Sequence, residues 1–345
     1  MENNTEEEIN NLKSNKINSR FLLIFLKLLL LFKLALNFPS AIALEHNKVK
    51  VIAMTEIVQH PSLDRARKGI LDELKINGYE LGKNLKLIEQ NAQGNVANAV
   101  LIAKNFVSLK PDVIVAISTI SSQTVLAAAR ESDIPIVFSS VTDPESAGLV
   151  HNIEQASEKI TGSMDFPSVD DEIKLIEALT PNIKTIGLLY NSGEVNSVKA
   201  IELFKKAVDS QWNVVEATAA NSAESISGLN SLVGKVDAVY VSSDNTVFSA
   251  LPKLVQVSQK NKLPIYSNDP DSVFKGFTAC VGYTQYSVGR VAGKLLVKTL
   301  RGEHSLKIEK PKELKIFINE ISAKKLGINI PADINGLELK IVKEK

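Results

Sequence analysis

Short apolar runs alternate with longer amphipathic stretches over most of the chain. The apolar runs are rich in strand-forming residues and lie at 49–55, 85–92, 111–118, 134–140, 184–191, 212–220, 236–243, 263–269 and 277–283. Helical patterns separate them at 61–76, 95–108, 121–131, 170–179, 195–210, 222–233, 246–261 and 286–301. Continuous apolar strands that alternate with helices predict an α/β fold with parallel sheets covered on both faces.

The same order of strands and helices occurs twice along the chain. A single large Rossmann-type domain would give the alternation, but it does not require a repeat. The repeat therefore favours two Rossmann-like lobes of similar topology. Matching positions of the two halves carry the same residues: Asp112 and Asp237, Pro135 and Pro264, and the Asp-Pro pairs at 143–144 and 269–270.

The pattern also predicts which segments form each lobe. We expect the first lobe to contain residues 49–142 and about 270–302, and the second to contain 143–269 and about 303–340. The last strand–helix pair and the short run at 314–328 allow the chain to cross between the lobes several times, which predicts a hinge of several strands.

The N-terminal segment has the order of a secretory signal. A polar leader that ends in Arg20 precedes an apolar stretch at 21–36, and Ala-Ile-Ala follows at 41–43. The apolar stretch is shorter than the roughly 20 residues that a membrane span needs. We expect residues 1–43 to be a signal peptide that is cleaved near Ala43, with the protein released into a periplasm. The alternative is an uncleaved inner-membrane anchor.

Charge and cysteine content exclude several classes of protein. The chain has 40 Lys and Arg against 39 Asp and Glu, which argues against a dedicated nucleic-acid binder. Its one cysteine, Cys280, excludes an intramolecular disulfide framework and a cysteine-based zinc site. Cys280 also lies far from Ala43, so we expect no lipid anchor at the cleavage site.

Polar residues collect where the predicted strands end. Ligands of open parallel sheets bind outside the carboxyl ends of the strands, and here each such end is followed by a loop rich in hydroxyl and amide groups. Helix starts in these loops can accept a ligand carboxylate, and Asp244 could pair with a ligand ammonium. Each residue alone is an ordinary helix cap or turn former, so the set indicates more than any member.

No catalytic motif occurs in the chain. The sequence lacks a dinucleotide fingerprint, a P-loop, a nucleophile elbow and a His-Glu-x-x-His metal motif. His60 is the only histidine beside a predicted strand end, and together with Glu56 it could act as an acid–base pair. Its preferred interpretation is a residue of the turn or rim.

A resemblance to a known family extends over nearly all of 49–328, and it is carried by the segments at 57–74, 90–99, 110–119, 134–150, 161–197, 236–250 and 263–276. Together these segments resemble the substrate-binding proteins of ABC transporters, in the group that includes tryptophan- and tyrosine-type uptake systems. It implies a type I periplasmic-binding-protein architecture, with two Rossmann-like lobes, a three-crossing hinge and a ligand in the cleft.

The resemblance also implies a set of ligand-binding residues and no catalytic residue, cofactor or metal. The residues that match the family's pocket loops are Glu56, Gln59, Ser118, Thr119, Ser139, Asn191, Glu194, Asn196, Ser197, Asp244, Asn245 and Asp269.

The expected function is therefore that of an extracytoplasmic solute-binding protein. It would be a monomer that captures a small amino-acid-like ligand, with aromatic specificity resting on the resemblance, and it would deliver the ligand to an ABC permease and its ATPase by hinge closure. Two alternatives remain at this point: a membrane-anchored ligand sensor of the same fold, and an α/β enzyme that uses His60 and Glu56.

Overall fold

The structure is a computed structural model that describes residues 49–208 and 210–343. The expected signal peptide or anchor at 1–43 lies outside the described residues. Within the described part of the chain, no helix is long and apolar enough to cross a membrane.

The first lobe is built on a parallel sheet of five strands in the order β2-β1-β3-β4-β5. Its strands are β1 (Lys50–Glu56), β2 (Leu85–Asn91), β3 (Val113–Ile117), β4 (Ile136–Val141) and β5 (Ile160–Met164). The helices that join them are α1 (Pro61–Ile76), α2 (Val96–Leu109) and α3 (Thr119–Ala128). The predicted helix at 61–76 is confirmed at both ends, where Pro61 begins α1 with its missing N–H at a position that needs no donor.

Strand β3 shows why the sequence carries uninterrupted apolar runs. Val113, Val115 and Ile117 pack into one core cluster, which contains residues of α1. Ile114 and Ala116 pack into a second cluster, which contains residues of α2 and α3. Successive side chains of a strand point to opposite faces, so a strand with helices on both faces must be apolar at every position.

The second lobe contains a sheet of seven strands in the order β12-β11-β10-β9-β8-β6-β7. Its strands are β6 (Thr185–Tyr190), β7 (Asn213–Thr218), β8 (Ala238–Val241), β9 (Ile265–Ser267), β10 (Ala279–Gly282), β11 (Lys315–Asn319) and β12 (Leu339–Val342). Only the β10–β11 pair is antiparallel among the strands described for this sheet. Its helices are α4 (Val169–Leu179), α5 (Val195–Val208), α6 (Ser222–Leu232), α7 (Asn245–Ser249), α8 (Leu251–Asn261), α9 (Pro270–Phe274) and α11 (Glu320–Leu326).

The predicted repeat is confirmed by the strand orders. The order β2-β1-β3-β4-β5 of the first lobe recurs as β7-β6-β8-β9-β10 in the second. The matched aspartates also have the same role. Oδ2 of Asp112 accepts the N–H of Val51 at 2.8 Å, and Oδ2 of Asp237 accepts the N–H of Lys184 and Thr185, each at 2.8 Å. Each aspartate therefore satisfies backbone donors at the start of the first strand of its lobe.

The lobe boundaries differ from the expected ones at two places. Strand β5 lies after residue 143 but pairs with β4 in the first sheet, so the first lobe continues to about residue 165. Helix α9 and strand β10 lie after residue 270 but belong to the second lobe, so only α10 (Gln285–Leu300) returns to the first lobe. Strand β5 has no continuous apolar run, because Thr161, Gly162 and Ser163 interrupt it. A Cβ at Gly162 would overlap the carbonyl oxygen of Phe138, and the hydroxyls of Thr161 and Ser163 form hydrogen bonds.

The chain crosses between the lobes three times, at 165–168, at 283–284 and at 301–314. Helix α10 is attached to the first lobe through an unusually close contact with α1. A Cβ on Gly289 would overlap the backbone carbonyl of Ala66, and a Cβ on Gly69 would overlap that of Tyr286. The two-lobed α/β fold class with a three-crossing hinge is therefore confirmed.

Candidate functional site

A narrow cavity of about 20 Å³ lies where the carboxyl ends of the two sheets face each other. This volume holds roughly one water molecule, so a larger ligand can enter only when the lobes separate. The cavity, called here the cleft site, is lined from the first lobe and α10 by His60, Ser62, Leu63, Thr119, Ser140, Thr142, Asp165 and Gln285, and from the second lobe by Asn196, Ser243, Asn245, Phe248 and Asp269.

Polar contacts bridge the lobes at the N-terminal end of α1. The hydroxyl of Ser62 donates to Oδ2 of Asp269 at 2.6 Å. Arg65 Nε donates to Oδ1 of Asp271 at 3.4 Å. His60 Nε2 lies 3.4 Å from Oδ1 of Asn245. The lobes are therefore in a closed arrangement, in which α1 contacts the loops that follow β8 and β9.

Two aspartates of the cleft site each keep one oxygen without a partner. Asp165 comes from the first crossing, and its Oδ2 accepts from Nε2 of Gln285 at 2.7 Å. Asp269 comes from the second lobe, and its Oδ2 accepts from Ser62 and from the N–H of Ser272. Oδ1 of Asp165 and Oδ1 of Asp269 are buried and have no hydrogen-bond partner among the described residues.

The electrostatic environment of these two carboxylates is unfavourable without a cation. Burial raises the pKa of Asp165. Burial also raises the pKa of Asp269, and the nearby charge of Asp271 raises it further. Asp271 itself is paired with Arg65. Because a buried charge is costly unless it is paired, the two carboxylates create a place where an ammonium group is stabilised.

The remaining lining adds a neutral acceptor set and an apolar wall. Oδ1 of Asn196 and Nδ1 of His60 are buried and lack a partner among the described residues. Burial lowers the pKa of His60 to about 4, so its imidazole is neutral at physiological pH. The rings of His60 and Phe248 meet edge to face, with their centroids 5.8 Å apart. Phe248 and Leu63 supply apolar surface.

The backbone is strained where β3 and β4 reach the cleft site. Ser118 has φ 88° and ψ 160°, a region that is nearly exclusive to glycine, and Ser140 has φ 58°. Such outliers concentrate at functional sites because the surrounding structure must hold them. Ser118 is the N-cap of α3, so the strain positions the first turn of this helix, with Thr119, at the cavity. Unpaired N–H groups of a first turn favour a carboxylate.

Only part of the predicted binding set reaches the cleft site. The lining contains Thr119, Asn196, Asn245 and Asp269. The residues of the predicted set that do not line it are Glu56, Gln59, Ser118, Ser139, Asn191, Glu194, Ser197 and Asp244.

Glu194 and Asp244 stabilise the start of α7 instead of facing the cavity. Oε1 of Glu194 accepts from the N–H and the hydroxyl of Thr246, at 2.9 and 2.8 Å. Asp244 accepts from the N–H of Asn191, the hydroxyl of Ser197 and the N–H of Val247. The expected pairing of Asp244 with a ligand ammonium is therefore unsupported, because its oxygens already serve backbone and hydroxyl donors. Burial and the charge of Glu194 raise the pKa of Asp244.

The four predicted residues that belong to the first lobe also do not line the cavity. Glu56 accepts from Nδ2 of Asn91 at 2.7 Å, beside β2, and Gln59 is exposed. Ser139 is buried and bonds to Ser163, while Ser118 caps α3. Glu56 and His60 thus bond to different partners, and no hydrogen bond joins them within the described chain.

Among the described residues, no group of three or more His, Cys, Asp or Glu is arranged to hold a metal ion.

Sequence reasoning missed Asp165, Gln285 and Ser62, and it assigned His60 to a rim. Asp165 follows β5, and because β5 has no continuous apolar run, the sequence does not indicate a strand end at this position. Gln285 begins α10 directly after the second crossing between the lobes. Its contact with Asp165 depends on where the chain re-enters the first lobe, which the sequence pattern does not show. Ser62 lies inside the first turn of α1 instead of in the loop before it.

Comparison with known proteins places the chain among binding proteins. A family described as ABC transporter substrate binding protein matches residues 51–340. A "Tyrosine-binding protein" of Clostridioides difficile (strain R20291) is 38% identical over 287 residues, which are 82% of this chain and 83% of the relative.

Two solved structures inform the arrangement of the lobes. One, from Streptococcus pneumonia, is an ABC domain in complex with L-Trp, with 32% identity, a TM-score of 0.78, and coverage of 84% of this chain and 99% of that one. The other is the ligand-free, open structure of a substrate-binding protein with adhesive properties from Clostridium difficile, with 36% identity, a TM-score of 0.63, and coverage of 86% and 100%. The TM-score is lower against the structure described as open, although its sequence identity to this chain is the higher of the two. This difference agrees with the closed arrangement of the lobes described above.

Proposed function

The chain belongs to the ABC transporter substrate-binding proteins, and we propose that it captures an aromatic amino acid in the cleft site. The relative named for tyrosine binding and the relative solved with L-Trp support an aromatic ligand. The ligand enters while the lobes are apart. The hinge then closes around it to an arrangement wider than the one described, whose cavity of about 20 Å³ holds only about one water molecule.

One observation carries the proposal: Asp165 and Asp269 come from different sides of the cleft, and each leaves a buried oxygen unpartnered in the same cavity. A ligand ammonium between them donates a charge-assisted hydrogen bond to each carboxylate, and such bonds are the stronger kind. It also stabilises the ionised form of both carboxyl groups, which burial alone disfavours. The ammonium therefore favours the closed state over the open state, as a closing ligand must.

The other ends of the ligand have complementary surroundings. The ligand carboxylate is directed to the first turn of α3, with the hydroxyl of Thr119 beside it. The aromatic ring is directed to Phe248 and Leu63, and the neutral His60 is available to accept a hydrogen bond at Nδ1. An aromatic pair of this kind contributes about 0.5–1.5 kcal/mol beyond the buried area.

Delivery and location complete the proposal. The closed, loaded protein docks on an ABC permease, whose ATPase drives import, and the protein works as a monomer in the periplasm. The family match supports partnership with a permease. The order of basic, apolar and Ala-x-Ala residues in the first 43 positions supports export.

The test is isothermal titration calorimetry of the full chain with tyrosine, tryptophan and phenylalanine. We expect saturable binding of at least one of them, with one ligand per chain. Two analogues of tyrosine serve as controls: 3-(4-hydroxyphenyl)propanoate lacks the ammonium, and tyramine lacks the carboxylate. Both should bind at least tenfold more weakly. Equal affinity for 3-(4-hydroxyphenyl)propanoate and tyrosine would contradict the assigned role of the two aspartates.

A further inference from the structure

A second and larger cavity lies at the hinge, and none of its lining is used by the proposed function. Its volume is about 940 Å³, within the roughly 300–1,000 Å³ of small-molecule sites. One wall is α10 at 284–294. The opposite side is formed by Phe274 of α9 and by parts of β11 and β12, and the third crossing runs past it at 309–313. This cavity, called here the hinge groove, therefore has walls from both lobes.

The hinge groove is basic, although the chain as a whole is nearly neutral. Seven of its side chains are Lys or Arg and two are Glu, against 40 basic and 39 acidic residues in the chain. Its two glutamates already face lysines: Glu309 lies 3.8 Å from Lys298, and Glu313 lies 2.8 Å from Lys315.

Among the residues that the structure describes, three lysines of the hinge groove form no ion pair. Lys294, Lys310 and Lys312 are exposed. In the part of the chain that the structure describes, none of the three has a carboxylate within 4 Å. They lie on two walls of the same concave surface, and like charges on such walls concentrate an attractive potential for an anion.

The same groove also presents apolar surface. Phe274 and Val291 are half-buried on opposite walls, and Ile341 leaves 39% of its surface exposed at the end of β12. Phe317 and Val342 close the base and are nearly buried. Contact with this surface removes apolar area from water, at about 25 cal/mol per Å².

We propose that the hinge groove is a binding site for an amphipathic anion, a molecule with one anionic headgroup on an apolar chain. The headgroup contacts Lys294, Lys310 and Lys312. The apolar chain lies along Val291, Phe274 and Ile341. The concave shape encloses a small molecule, and its occupant touches α10 of the first lobe and β12 of the second. The site is separate from the cleft site, since the two cavities share no lining residue.

The probe for this proposal is sodium dodecanoate, titrated calorimetrically into the full chain below its aggregation concentration. Acetate provides the headgroup alone, and dodecyltrimethylammonium provides the same tail with the opposite charge. We expect dodecanoate to bind saturably, one per chain, and both controls to bind at least tenfold more weakly. Equal binding of the cationic amphiphile, or no saturable binding of dodecanoate, would overturn the proposal.

Variants locate the bound probe. The triple variant Lys294→Glu, Lys310→Glu, Lys312→Glu leaves four basic and five acidic residues in the groove, and it should weaken dodecanoate binding at least tenfold. A matched triple variant, Lys104→Glu, Lys206→Glu, Lys260→Glu, changes the net charge equally at exposed positions outside the groove and should bind as the parent does. Equal losses in both triples, or no loss in the first, would refute the site.

A cleft variant separates this proposal from the proposed function. Asp269→Asn should leave the affinity for dodecanoate unchanged, whatever it does to amino-acid binding. A loss of dodecanoate binding in Asp269→Asn would place the probe in the cleft site and would overturn the assignment to the hinge groove.

Discussion

At the scale of single residues, buried carboxylates have distinct roles in this protein. Asp165 and Asp269 each keep an unpartnered oxygen in the cleft site, whereas oxygens of Asp244 and Glu194 accept hydrogen bonds from donors at the start of α7. The sequence correctly predicts that such residues follow the strand ends. It cannot predict which oxygens remain free, because that depends on which backbone N–H groups the folded loops direct at each carboxylate.

The first prediction contrasts two of these aspartates. Asp269→Asn should weaken the binding of an aromatic amino acid by about 1.5–3 kcal/mol, the range of a hydrogen bond to a charged group, and should leave the free energy of unfolding unchanged or higher. Asp244→Asn should instead lower the free energy of unfolding by about 1–2 kcal/mol, because both oxygens of Asp244 accept hydrogen bonds and the amide nitrogen of Asn cannot accept from the N–H of Asn191 and the hydroxyl of Ser197. Calorimetry and urea unfolding measure the two quantities. Similar effects of both variants on binding would contradict the assignment.

Another buried carboxylate, Glu172, makes stability depend on pH. Its Oε2 accepts from the hydroxyl of Tyr240 at 2.8 Å, and burial raises its pKa to about 8 from an ordinary value near 4.5. Between these two pH values the folded state keeps a proton that the unfolded state has lost. Its contribution to stability is therefore full below about pH 4.5 and is lost as the pH rises to about 8.

Glu172→Gln should remove this dependence, because the amide stays neutral and can still accept from Tyr240. The loss of unfolding free energy from pH 5.5 to pH 8.5 should be smaller in the variant by on the order of 3 kcal/mol. Urea unfolding at both pH values measures the difference. Parallel pH profiles of parent and variant would show that Glu172 titrates normally in the folded state.

At the scale of elements, apolar periodicity predicts most strands and helices and fails where another constraint determines the sequence. Strand β5 lacks an apolar pattern because a close approach to Phe138 requires Gly162 and because Thr161 and Ser163 form hydrogen bonds through their hydroxyls. The helix predicted at 246–261 is two helices, α7 and α8, interrupted at Ala250. Pro252 accounts for the interruption, since proline has no N–H and its ring clashes with the preceding turn of a helix.

The close contact between α1 and α10 gives a prediction for this scale. Gly289→Ala should lower the free energy of unfolding by about 1–3 kcal/mol, because the added Cβ meets the backbone of Ala66, which cannot rotate away. Gly228→Ala in α6 is the matched control. Its nearest atom is the end of the flexible Leu189 side chain at 2.9 Å, so we expect little loss. Equal destabilisation in the two variants would argue against backbone overlap as the cause.

At the scale of the whole molecule, the repeat predicts two lobes, and the structure confirms them. The angle between the lobes could not be predicted, because few polar contacts hold it. Ser62 and Arg65 reach the second lobe, and nothing in their sequence context distinguishes them from ordinary residues of a first helical turn. The lobe boundaries differ from the expected ones because β5 pairs with β4 of the first sheet and β10 pairs with β9 of the second, and these pairings are not visible in the sequence pattern.

The closed arrangement can be tested with two arginines of α1. Arg65 pairs with Asp271 across the cleft, whereas Arg67 pairs with Glu89 inside the first lobe. Arg65→Ala should weaken amino-acid binding by about 0.2–1 kcal/mol, the range of an exposed ion pair, because it removes a contact made only when the lobes are closed. Arg67→Ala should leave binding unchanged. Titration calorimetry measures the affinity of both variants for the amino acid. Equal affinities of Arg65→Ala and Arg67→Ala would show that the Arg65–Asp271 ion pair does not favour closure.

The crystal structure of the complex with the aromatic amino acid that binds most tightly is the most direct test of the central claim. We expect the ligand to lie between the lobes, with its ammonium nitrogen within about 3 Å of an oxygen of Asp165 and of Asp269, and with its carboxylate at the start of α3. A ligand whose ammonium faces away from both aspartates, or one bound outside the cleft site, would refute the assigned role of these two carboxylates.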